Sequence, residues 1–334
     1  MHTNKIEIIA EMGQGFSGSF DIAMMLSKSA SNTCADSVKF QMVFADELAV
    51  KNYKYYHLFK SLEMKFSDWK KILTFLKKKK KKIYFDIFGE KSLKFAEDLK
   101  VNGVKIHPTD ILNFDLLEKV KNSNIKKIFL GIGGLNPKSI NNVVNFFFKK
   151  KIVLLNGFQG YPTSINNNNL NNICYLKKKY YKNKFIDYGF ADHESSSFSN
   201  TLMLSALAIG AGANYIEKHY TLTETLKMED YESALSPERF NEYASKLKKI
   251  YDAKNSLNLD QYKISTSEKK YRYKVIRHVI AKRNILKNKV IKINDLTQKR
   301  SNNKSALNNI HQCLGKKAKI LISKGSPIKI SYIK

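Results

Sequence analysis

Cysteine is scarce in this chain. The 334 residues hold three, Cys34, Cys174 and Cys313, far apart and with no CxxC pair. That argues against a disulfide framework and a structural zinc site, and fits a reducing, cytoplasmic setting. Long hydrophobic runs are also missing. No stretch approaches the roughly 18–20 apolar residues of a membrane-spanning helix, so no membrane partner is expected. The opening MHTNKIEIIAEMG has no basic segment followed by an apolar one, so no secretory leader is expected either. Acidic residues are the third shortage: 29 Asp and Glu stand against 59 Lys and Arg, a net charge of +30. Such an excess raises nucleic-acid or membrane-surface binding as a reading. The lysines fall mostly on expected helix exteriors, without interleaved stacking aromatics. They are therefore read as solvated decoration, with no nucleic-acid partner, although the surplus would attract an anionic substrate.

Apolar side chains make up 43% of the chain and aromatics 12%, which excludes a disordered chain. Apolar runs and helical patterns alternate in order. Candidate strands are 6–11, 37–42, 82–88, 103–107, 127–132 and 151–155, with two more ending at His193 and His219. Helical patterns follow them, among them 19–33 with Ser19 as N-cap, 67 to the lysine run, 90–100, 137–150, and 237 to about 253 with Ser236 as cap and Pro237 at N1. Residues 166–172 (NNNNLNN) read as a loop or a poor helix start. Eight β-then-α units in about 250 residues is the arithmetic of a (β/α)8 TIM barrel, with a doubly wound open sheet as the competing design. Polar residues at the C-terminal ends of nearly all the strands favour the barrel, which gathers those ends at one mouth. The reading divides the chain into a barrel over 1–254, a polar linker over 255–272 and a small all-β domain over 273–334. The last rests on the runs VIRHVIA, KVIKI and KAKILI, and its size is marginal for folding alone.

The stretch from Phe185 to Tyr220 is a strand–helix–strand unit with an imidazole at the end of each strand. Neighbouring strand ends lie about 5 Å apart, so His193 and His219 could share a divalent metal or one proton network. Two nitrogens are too few for structural zinc and leave positions open for water and substrate oxygens, which suits manganese or magnesium. A pair of hydrogen-bonded core histidines is the plain alternative. Lys39 and Lys105 at the same mouth suggest a bound phosphate or carboxylate, or else ion pairs with Glu11 or Asp86. Gly131–Gly134 could lend N–H groups to an anion. Glu217 reads as an acid beside the metal or as a lysine's partner. Asp230, in a loop, could bind sugar hydroxyls, although exposed loop carboxylates more often do nothing.

Together these residues resemble the sialic acid synthase, or nonulosonic acid synthase, family. Ile9-Ala10-Glu11-Met12-Gly13 is similar to its IAEIG, Asp36–Gln41 to its AVKFQ strand and Tyr161-Pro162-Thr163 to its YPT turn. Asp192-His193 and Glu217-Lys218-His219 resemble its SDH and EKH motifs, and Asp230 with Ser233–Pro237 its GPD…SxxP segment. The tail, from Ile276-Arg277 through 281–285 and 294–296 to Lys299-Arg300, resembles its antifreeze-like (SAF) domain. The resemblance implies a cytoplasmic transferase. Phosphoenolpyruvate condenses with the open-chain aldehyde of an N-acylated hexosamine, water attacks C2, and phosphate leaves with a nine-carbon 2-keto acid. It implies Mn2+ or Mg2+ on His193 and His219, and Glu11 as an acid/base or sugar contact. Lys39 and Lys105, with Gln41 nearby, would hold phosphoenolpyruvate, and Gln159, Tyr161 and Asp230 would address the sugar and water. Arg300 would reach a neighbouring subunit's site in a domain-swapped homodimer. The chain departs from the family where hydroxyls are usual, at Asp86–Gly89, Lys105–Asp110, Gly131–Gly134 and Ala191. There His107, Thr109 and backbone N–H groups are expected to substitute. A catalytically silent sugar- or anion-binding relative is the alternative reading.

Overall fold

The computed structural model describes residues 5–158, 160–195, 197–255 and 264–334. The chain divides into two units, residues 1–256 and 257–334.

In the first unit β1 (Glu7–Glu11), α1 (Phe20–Ser31) and β2 (Ser37–Gln41) come first. The Ser19 hydroxyl caps α1 by accepting from Ile22 N–H. Two short helices, α2 (Ala45–Leu48) and α3 (Tyr56–Ser61), occupy the stretch that shows no clear pattern in sequence. Then come α4 (Phe66–Lys78), β3 (Lys82–Ile87), α5 (Glu90–Asp98), β4 (Gly103–Ile106), α6 (Phe114–Asn122), β5 (Lys127–Gly131), α7 (Pro137–Phe146) and β6 (Lys151–Asn156). The asparagine-rich run forms a single 3-10 turn, and α8 (Asn171–Lys179) begins inside it, anchored by buried Ile173 and Leu176. β7 (Ile186–Asp192), α9 (Phe198–Ala211), β8 (Tyr215–Tyr220), a two-residue β9 (Ala234–Leu235) and α10 (Pro237–Asn255) complete the unit.

The strands β1 to β8 pair in chain order, all parallel, and β1 also pairs with β8. That closes the sheet into the expected (β/α)8 barrel. Alternation sends one set of side chains outward against the helices, where Val38, Phe40, Ile83, Phe85, Ile128 and Leu154 are buried in the main core. The inward set stacks in layers. At the N-terminal end the Glu7 carboxylate accepts from the Tyr84 hydroxyl at 2.5 Å and from Lys82 at 2.6 Å. Above it Ile9, Tyr84, Phe129, Val153 and Tyr215 form an apolar plug, with Phe129 edge-on to both tyrosines. Above the plug the inward positions turn ionic and lead to the mouth. β9, which no periodicity announces, pairs with β8 at His219 and Tyr220 and ties the loop before α10 to the barrel.

The second unit opens with α11 (Thr266–Val275), capped by a reciprocal Ser265–Glu268 box. This corrects the linker reading, of which residues 256–263 lie outside the described residues. The helix buries no side chain, so it has no apolar stripe for a sequence reading to find. β10 (Arg277–Ala281) and β11 (Leu296–Arg300) then pair antiparallel. The runs KVIKI and KAKILI, expected as strands, make only isolated bridges such as Val290 with Lys317 and Ala318 with Ile333. Ile291, Ala318 and Ile322 enter the unit's small core one at a time from loops, with Val279, Cys313 and Ile328. Single anchors of this kind replace continuous ladders in so short a segment.

Candidate functional site

The mouth is built on β7 and β8. Inward alternation along β8 gives Tyr215, Glu217 and His219, and His193 follows the last residue of β7. The two imidazole centroids are 5.7 Å apart. His193 Nδ1–H donates to the Phe158 carbonyl at 2.6 Å, which leaves Nε2 with its lone pair, 3.2 Å from the Tyr161 hydroxyl. The Tyr161 ring lies 4.4 Å from His193 and 5.5 Å from His219. Asp230 reaches over from the loop held by β9, with Oδ2 3.7 Å from His219 Nδ1. Burial pushes both imidazoles well below their ordinary range, His193 to about 3. Both are therefore neutral at physiological pH. Burial, with Glu229 and Glu232 nearby, raises the Asp230 carboxyl to about 6.

Beneath them lies a fully buried ionic layer. Lys39 Nζ contacts Glu11, sits 2.6 Å from Asp86 Oδ1 and 3.6 Å from Glu217 Oε2. Lys105 Nζ is 2.7 Å from Glu217 Oε1 and 3.6 Å from Asp86 Oδ2. Three carboxyls face two ammonium groups, so the layer is one cation short. Burial, against the pull of Lys39 and helped by Asp86 and Glu217, lifts Glu11 to about 8. Glu11 is thus the member of the layer that gives up a proton least readily. Burial also works against ionisation of Glu217, but Lys105 and Lys39 outweigh it and hold that carboxyl at about 2. Of the readings left open for Glu217, the structure shows the lysine's partner.

Glu11, Lys39, Lys105, Tyr161, His193, His219 and Asp230 are thus brought to one barrel end. Gln41, the last residue of β2, accepts from Gln14 Nε2 at 2.8 Å. His107 follows β4, with Nδ1 3.3 Å from the hydroxyl of exposed Thr109. Burial, then Lys105, lowers the His107 imidazole to about 4. Gln159 lies outside the described residues. Arg300 is exposed on β11 in the second unit, lining a groove of about 900 Å³ with Lys274, Lys282, Lys299 and Lys324. Asp86, expected as an ion-pair partner of the lysines, is one; sequence reasoning did not place Gln14 or the Phe158 carbonyl in the site. Gln14 stands in a Gly-Gln-Gly turn, where it could have been found. A backbone carbonyl gives no such signal.

The residues fit a divalent cation held in an open site. Both imidazoles are neutral, and a carbonyl fixes the tautomer of His193 so that Nε2 faces the mouth. Gly13 keeps the intervening space clear. Its φ is +52°, and a Cβ there would lie 3.3 Å from Asp230 Oδ2 and 3.7 Å from both Glu11 Oε1 and His219 Cε1. Among the described residues no group of three or more His, Cys, Asp or Glu is arranged to enclose a metal. A closed structural site is therefore not what these residues make.

The NeuB family model matches residues 26–259. An uncharacterised protein of Methanocaldococcus jannaschii is 28% identical over 296 residues, covering 88% of this chain and 84% of that one. N,N'-diacetyllegionaminic acid synthase of Campylobacter jejuni is 28% identical over 331 residues, covering 93% and 95%. Among solved structures, the N-acetylneuraminic acid (sialic acid) synthetase of Leptospira borgpetersenii superposes with a TM-score of 0.72 at 27% identity, over 80% of this chain and 91% of that one. The family match spans both histidine-bearing strands and both buried lysines, and by it the chain belongs to the NeuB family.

Proposed function

We propose that the protein is a nonulosonic acid synthase that joins phosphoenolpyruvate to the open-chain aldehyde of an N-acylated hexosamine. The observation that carries this reading is the pair of neutral imidazoles, with Tyr161 and Asp230, set directly above a buried lysine–carboxylate layer. In the reaction C3 of phosphoenolpyruvate bonds to the aldehyde carbon, whose oxygen takes up a proton. Water adds to C2 and the C2–O bond to phosphate breaks, releasing phosphate and a nine-carbon 2-keto acid. His193 and His219 would hold Mn2+ or Mg2+, which would supply Lewis acidity for the aldehyde. Glu11, the carboxyl of the layer whose hold on a proton is raised, is the acid for the new hydroxyl. Lys39 and Lys105 turn from their carboxylates toward the phosphate and carboxylate of phosphoenolpyruvate, with Gln41, His107 and Thr109 at the rim. Tyr161, Asp230 and Gln159 address sugar and water. In this reading the second unit is an antifreeze-like domain, and its Arg300 completes the site of a neighbouring subunit in a homodimer. The test is phosphate release from phosphoenolpyruvate with Mn2+ and a panel of N-acyl hexosamines. Release with one sugar supports the reading, and none with any sugar, while a control synthase turns over, overturns it.

One observation favours a second reading, a silent sugar- or anion-binding relative. Both lysines are already matched by three carboxyls. Calorimetric binding of the sugar or phosphoenolpyruvate without phosphate release would select it, and any product rules it out.

A further inference from the structure

The outward faces of β1 to β5 finish on Ala10, Phe40, Ile87, Ile106 and Leu130, all buried and apolar. β7 finishes differently, on Asp192, and the register sets Lys218 of β8 directly opposite it. Both side chains are wholly buried. Each immediately precedes one of the two histidines, and alternation points the pair away from the mouth into the layer beneath α9 and α10.

The pair is bonded on every side. Lys218 Nζ donates to Asp192 Oδ1 at 3.3 Å and to the Glu194 carbonyl at 2.8 Å. Asp192 Oδ1 also accepts from Glu194 N–H at 2.9 Å, and Oδ2 accepts from Ser205 Oγ of α9 at 3.2 Å. The Ser205 and Tyr243 hydroxyls meet at 2.7 Å, which extends the network to α10. The His193 carbonyl itself accepts from Thr163 N–H at 2.7 Å and from the Ser233 hydroxyl at 2.9 Å. The backbone on both sides of His193 is thus fastened to the strand that carries His219.

Stability does not account for this arrangement. An apolar pair of similar volume in a buried layer is commonly as stable as an ion pair or more so; β1 to β5 end their outward faces on apolar residues and β6 on the uncharged Asn156, so the charged pair is confined to the two histidine-bearing strands. A hydrogen-bonded ion pair does supply what an apolar pair lacks, a directional tie between two strand ends. We infer that Asp192 and Lys218 are positioning residues that set the spacing and facing of His193 and His219 from behind the barrel wall. The inference rests on the reading of those histidines as the metal-holding pair.

The test uses Asp192→Asn combined with Lys218→Met, which removes both charges and keeps the shapes. The double variant is expected to fold, by circular dichroism and urea midpoint, and to bind Mn2+ in calorimetry about tenfold more weakly than the natural chain, the usual scale for loss of an outer partner. Lys218→Arg, which keeps the charge and the donors, should bind nearly as the natural chain does. The ring resonances of His193 and His219, followed by NMR with 15N-labelled imidazoles and no metal added, should move in the double variant. A folded double variant with natural Mn2+ affinity and unmoved rings overturns the inference. If the natural chain itself takes up no Mn2+, the metal reading fails and the ring resonances alone decide the positioning role. If the double variant does not fold, Ser205→Ala carries the same ring and Mn2+ measurements, since it loosens Asp192 without removing a charge. Unmoved rings with natural affinity there count equally against the inference.

Discussion

Gly13 shows how much of the site turns on single atoms. Its φ of +52° disfavours a side chain, and a Cβ there would press on Asp230 Oδ2 at 3.3 Å. Gly13→Ala carries two costs. The left-handed backbone costs about 1 kcal/mol or more for a residue with a Cβ, and the methyl enters the space that the proposed function gives to substrate oxygens. We expect a small fall in the urea midpoint and a far larger fall in phosphate release. Equal activity at reduced stability would show that the space is not used. The histidines and lysines at this scale were legible because inward alternation and strand ends can be read from sequence. The lysines' acidic partners Glu11, Asp86 and Glu217 were named as one reading, but which carboxyl meets which lysine was not legible. That Lys105 faces Glu217 across the barrel depends on closure, which brings together residues more than a hundred positions apart. Gln159 stays an expectation in the proposed site.

At the scale of elements, the strands and most helices could be read because their apolar periods are strong and their caps conventional, as at Ser19 for α1 and Asn136 for α7. β9 escaped because two residues have no period. α11 escaped because all its faces are polar. The N-terminal ends of β1, β3 and β5 make a testable unit of their own. Burial disfavours the charged form of Glu7, but Lys127, Lys82 and the Tyr84 hydroxyl outweigh it and lower its carboxyl below the ordinary 4.5. A depressed folded value means that this ionised group stabilises the fold above about pH 4.5, and that the contribution is lost as pH falls through the lowered value. Glu7→Gln should therefore lower the melting temperature at pH 7 and flatten its fall between pH 5 and 3. Parallel melting curves for the two proteins would remove Glu7 from the account.

For the whole molecule, the total of +30 conceals an uneven division. Residues 257–334 hold 20 of the 59 Lys and Arg but only 3 of the 29 Asp and Glu. A lysine-rich composition adds cations everywhere; it does not remove acids from one unit. The reading of the surplus as general decoration therefore holds less well for the second unit, where five cations line one groove. Reversing Lys282, Lys299 and Lys324 to Glu should release the protein from a heparin column at lower salt than reversing Lys78, Lys79 and Lys80. Identical elution of the two variants would show that the partition has no local effect. β9, finally, has a bearing on how such a protein can diverge. It pins residues 234–235 to β8, and Ser233 binds the His193 carbonyl, so Asp230 stands just outside a fixed anchor. The exposed stretch before it, through Leu226 and Lys227, is free to lengthen, shorten or change composition. That makes the β8–α10 connection a natural cassette: rim loops of different length or composition can be exchanged there while the histidines keep their places.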